Sequence, residues 1–118
     1  MAGGYDAYGQ VHSQNLKGRA LEAEAFMKAV QLLTRAQDFP ENKRLLGESL
    51  QYVQKLWMIV KADLEAPRNK LPKETQQHLL SLAEMVDAQC RAAIKKPPKH
   101  RLQGLIEIHR NVAAGLMS

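Results

Sequence analysis

Cys90 is the one side chain in this chain that combines a strong nucleophile with a core-like setting. Its neighbours at helical spacing, Val86 and Ala93, are apolar, so it reads as a small buried hydrophobe and not as a reactive thiolate. The four histidines, His12, His78, His100 and His109, are scattered. A di-iron bundle needs Glu-x-x-His on two helices. This chain offers Glu74-x-x-x-His78 and Glu107-x-His109, and neither has that spacing. One cysteine and dispersed histidines give no zinc pattern. Gly3-Gly4 lies at the very start of the chain without a preceding strand, so no phosphate loop is expected. No catalytic, cofactor-binding or metal-ligating set emerges, and a non-enzymatic protein is the expectation.

The other chemically loaded stretch is basic. Arg91, Lys95, Lys96, Lys99 and Arg101 fall within eleven residues that hold no acid, and those five charges equal the net charge of +5. Such density suits phosphate contacts. Single-strand binding also uses stacking aromatics, and none is interleaved here. Lys95, Lys96, Lys99 and Arg101 are therefore candidate nucleic-acid contacts, with a solvated linker as the simpler reading.

His109 stands on the apolar face of its helix, where a bond to a neighbouring backbone group is the expected use of its ring. Tyr52, Leu56 and Trp57 lie near the middle of the chain. On an apolar stripe Trp57 and Tyr52 read first as core, but Trp and Tyr are also enriched in binding hot spots, so these three, with Leu105, His109 and the N-terminal Tyr5 and Tyr8, are the candidate partner-binding residues.

The elements that must position these residues follow from periodicity. Leu46, Leu50, Val53, Trp57, Val60 and Leu64 are spaced by threes and fours and form one helical stripe. A first helix is expected from about Leu16 to Gln37, with the stripe Leu16, Ala20, Ala23, Met27, Val30 and Leu33. Asp38-Phe39-Pro40-Glu41 ends it. Pro40 suits the first turn of the second helix, expected to run from Pro40 to Ala66. Gly47 weakens that helix by roughly 1 kcal/mol relative to alanine. Pro67 to Pro72 makes a corner. The third helix should run to about Ile94 on Leu79, Ala83, Val86, Cys90 and Ala93. Two prolines, Pro97 and Pro98, stop it. The fourth, Arg101 to Leu116, carries Leu102, Leu105, His109, Val112 and Leu116. No strand pattern or repeat is present.

The fold class is thus all-α: a small antiparallel bundle of four helices behind a short N-terminal segment. Residues 16–118 form one domain at a length of 118 residues. Residues 1–15 are expected to be flexible, or to form one turn in which Tyr5 and Tyr8 share a face that docks on the bundle. A lone cysteine excludes an intramolecular disulfide and fits a reducing compartment. No apolar run approaches the ~18 residues of a membrane span, and the N-terminus lacks a signal-peptide pattern. A cytoplasmic protein with no membrane partner is expected.

Several stretches resemble the FlaF family, small flagellar-biosynthesis regulators of alphaproteobacteria. Arg19-Ala-Leu-Glu22-Ala is similar to the family's Pro-Arg-Glu-Leu-Glu-Ala start. Gln54-Lys55-Leu56-Trp57 resembles its Leu-Trp helix, followed by Asp63-Leu64. Asn69-Lys-Leu71-Pro72 resembles an Asn-x-Leu-Pro corner. Leu105-Ile106-Glu107-Ile108, Arg110 and Gly115-Leu116 are similar to Leu-Ile-x-Ile-Asn-Arg and a terminal Gly-Leu. The set runs in order over residues 16–116. Gly18 stands where proline is usual, and His109 where asparagine is. The resemblance implies a regulator of flagellin biosynthesis that binds flagellin as an export chaperone, alongside FlbT, a second small regulator linked to flagellin messenger RNA. The alternative is a direct RNA-binding post-transcriptional regulator using the basic run.

Overall fold

The computed structural model describes residues 16–67, 69–95 and 102–117. They form four helices: α1, Leu16–Asp38; α2, Lys43–Glu65; α3, Lys73–Lys95; and α4, Gln103–Met117. No strand occurs among the described residues. The all-α bundle expected from periodicity is what the chain forms. The N-terminal segment expected over residues 1–15 lies outside the described residues.

Helix α1 packs on both α4 and α2, and α3 makes its extensive packing with α2. By closeness of backbone approach the helices are ordered α4–α1–α2–α3, with antiparallel neighbours, and side chains of α2 and α3 also reach α4. Gln37 at the end of α1 donates to the Gln103 side chain at the start of α4 at 3.1 Å. Further along, Tyr52 of α2 donates its hydroxyl to the Ala25 carbonyl of α1 at 3.0 Å.

The stripes predicted for α2, α3 and α4 are the faces that are buried, with Leu46 partly so. On α1 the face is rotated. Met27 is 38% exposed, whereas Ala29 and Ala36 are buried beside Ala23, Phe26, Val30 and Leu33. The physical reason is size. Phe26 fills the core beside small buried alanines, so the larger Met27 turns outward. Ile59, Met85 and Ile94, which flank these stripes in the sequence, are exposed.

Helix α2 starts at Lys43, not at Pro40. The Asn42 side chain accepts from the backbone N–H of Arg44 at 3.1 Å and of Leu45 at 3.2 Å. That N-cap satisfies two orphan donors, a gain that proline at N1 cannot supply. Pro40 sits instead in the turn closed by Asn42 N–H to Phe39 C=O at 2.9 Å.

Asn69 organises the α2–α3 corner from both sides. Its amide donates to the Asp63 carbonyl at 3.1 Å, near the end of α2. Its side-chain oxygen accepts from Leu71 N–H and from the Gln76 amide, both at 3.0 Å. Leu71 is buried below it, and Pro72 precedes the first residue of α3.

Candidate functional site: an aromatic cluster beneath an open trough

Trp57 of α2 is 4% exposed and His109 of α4 is 0% exposed. The indole Nε1–H of Trp57 donates to His109 Nε2 at 2.8 Å. An indole can only donate, so Nε2 must be unprotonated and the ring proton sits on Nδ1. Nδ1 lies 2.7 Å from the Leu105 carbonyl and donates to it. The imidazole is thereby fixed as one neutral tautomer. Burial holds its pKa below the usual histidine value, and the bond to Leu105 opposes that only in part.

Phe26 of α1 closes the cluster. Its ring centroid is 5.8 Å from that of Trp57 at an interplanar angle of 80°. Trp57 and His109 meet edge-on at 5.9 Å and 83°. Phe26 and His109 are 6.0 Å apart. Edge-to-face pairs of this kind add ≈ 0.5–1.5 kcal/mol beyond area burial. Trp57 thus meets the first helix through Phe26, and its polar partner comes from the fourth, where His109 supplies a buried nitrogen acceptor.

Trp57 also has a second side. An open trough of about 790 Å³ runs between α2 and α3, with Trp57, Ala83 and Val86 in its floor. Gln54, Met58 and Lys61 line the α2 margin; Glu84, Asp87, Ala88 and Arg91 line the α3 margin. Arg91 pairs with Asp87 at 3.3 Å, both exposed. Sequence reading missed both the trough and the Trp57–His109 bond. The available signal was that each of these residues carries the ring nitrogen on its own apolar stripe.

The candidate partner residues are placed unequally. Tyr52 and Leu56 are half-buried on α2, and Lys28 Nζ sits 5.3 Å from the Tyr52 ring centroid. Leu105 and His109 are wholly inside the core, so a partner reaches them only if the bundle opens. Tyr5, Tyr8, Lys96, Lys99 and Arg101 lie outside the described residues. Lys95 is exposed at the end of α3.

Cys90 is fully buried. Burial, with the Asp87 carboxylate adding, pushes its thiol up to about 11, so it stays protonated at neutral pH. Among the described residues no group of three His, Cys, Asp or Glu side chains is placed to hold a metal ion. No helix among them is long and apolar enough to cross a membrane.

These features define a class: a small all-α bundle with a surface trough that Trp57 helps to line. The chain belongs to the flagellar protein FlaF family, whose model matches residues 5–116. No curated protein and no solved structure matches it.

Proposed function

We propose that this protein is a non-enzymatic, cytoplasmic regulator of flagellin biosynthesis that binds flagellin directly as an export chaperone and so supports flagellum assembly. The observation that carries the reading is an open, apolar-floored trough on a chain of a flagellar family. Helical bundles present such grooves to amphipathic helices. Flagellin's terminal segments form helices on assembly, and a bound terminus cannot polymerise early. Ordering such a segment costs entropy, which keeps the complex reversible. FlbT is the expected second regulator beside it.

The competing reading is direct binding of flagellin messenger RNA through the basic run from Arg91 to Arg101. Salt separates the two. Five phosphate contacts to a single strand give a slope near −3.5, so a fourfold rise in salt weakens binding about 100-fold. Seating an apolar helix in a groove changes little. Flagellin should co-purify with the protein from cell extract at high salt and after nuclease treatment. Loss of flagellin on nuclease treatment would show the association to be RNA-borne and sink the chaperone reading.

A further inference from the structure

The α2 margin of the trough, from Gln54 to Lys61, spans ~10 Å, and the α3 margin, from Ala83 to Arg91, ~12 Å, at 1.5 Å rise per residue. That length matches about two helical turns, which present apolar anchors at i, i+3 or i+4, and i+7. On α3 the alanines Ala83 and Ala88 leave the hollow, and on α2 the exposed Met58 forms an adaptable wall. The margins differ in charge. Lys61 marks the α2 side, and Glu84 and Asp87 the α3 side. Asp87 is engaged by Arg91. Among the described residues Lys61 and Glu84 have no ion-pair partner.

We propose that this trough is the docking face for flagellin, and that it selects an amphipathic helix of about two turns that sets its apolar ridge over Trp57 and Val86, a basic side chain against Glu84 and an acidic one against Lys61. The assignment rests on the flagellin-binding reading above and adds to it the surface and the charge pattern the partner must carry. Opposed charges on the two margins fix which flank of the helix faces which wall, and so its direction.

Two adjacent residues provide a matched test. Met58 and Ile59 are each 68% exposed, but only Met58 lines the trough. The full chain is titrated calorimetrically with purified monomeric flagellin. Met58→Glu places a charge on the wall, and Ala88→Trp fills the hollow; each should weaken binding at least about tenfold. Ile59→Glu should stay within about twofold. All three positions are exposed, and thermal melting is the check that each variant folds. Glu84→Lys should weaken binding at low salt, with the loss shrinking as salt rises.

If Ile59→Glu weakens binding while Met58→Glu and Ala88→Trp do not, flagellin binds elsewhere: the trough assignment falls and the flagellin reading stands. If the unmodified protein does not bind flagellin, both fall. A self-association of the free protein that Met58→Glu abolishes would give the trough to a second copy and overturn the assignment. An affinity indifferent to Glu84→Lys at low salt overturns the charge pattern.

Discussion

At the scale of single residues, one hydrogen bond joins the chain's one tryptophan to the only buried histidine among the described residues. Trp57→Ala empties a core site and leaves His109 Nε2 without its donor, so a loss of ~3–5 kcal/mol is expected. Urea unfolding measures it, and a variant that melts like the parent would move Trp57 out of the core. His109→Leu keeps volume but strands the indole N–H, at about 1–3 kcal/mol. His109→Asn costs less, because its side-chain oxygen can accept the same bond. The histidine also sets a pH dependence. Its folded pKa lies below its unfolded value, so the unfolded chain binds the proton more tightly. Its contribution is fully present above about pH 6.5 and is lost as pH falls towards the folded pKa. A protonated ring would also aim an N–H at the indole N–H. Unfolding midpoints between about pH 8 and pH 5 should fall more steeply for the parent than for His109→Asn. Equal slopes would contradict a buried neutral imidazole.

At the scale of elements, the helices were legible because their stripes repeat at 3.6 residues, and the Trp57 stripe sits where periodicity put it. What escaped had specific causes. Asn42 moved the start of α2 because a side-chain cap competes with proline, and only geometry shows which wins. Met27 and Ala29 exchanged roles because hydropathy ranks methionine above alanine, whereas a close helix seam rewards the smaller side chain. The Trp57–His109 bond spans 52 residues, beyond the reach of any local pattern. The α2–α3 corner was visible as Asn69-Lys70-Leu71-Pro72, but not that Asn69 caps one helix and orders the next. Asn69→Ala removes bonds to both helices, and a loss of about 1–3 kcal/mol in chemical unfolding is expected. Gly47 works in the other direction. It is exposed in mid-helix, and a Cβ there would meet nothing within 4 Å. Gly47→Ala should raise stability by ~0.5–1 kcal/mol, read as a higher melting temperature. An unchanged or lower value would mean that α2 uses the glycine for something other than helix.

At the scale of the whole molecule, α1, α2 and α4 each give one ring to the aromatic cluster, and the α2–α3 seam is open outside it. Trp57 joins the two: its ring nitrogen bonds within the core and its side chain helps to line the trough. Lys95 is the last residue of α3 and does not line the trough, although Arg91, at the start of the basic run, does. Replacing Lys95, Lys96, Lys99 and Arg101 with serine should therefore leave both melting temperature and flagellin affinity unchanged, since exposed charges contribute at most a few tenths of a kcal/mol each. The most direct test of the central claim is a calorimetric titration of the purified, nuclease-treated protein with purified monomeric flagellin, run at about 50 mM and about 200 mM salt. Saturable binding whose affinity changes less than about threefold between the two conditions is the predicted result. No binding, or a fall of about 100-fold across that salt step, would contradict it.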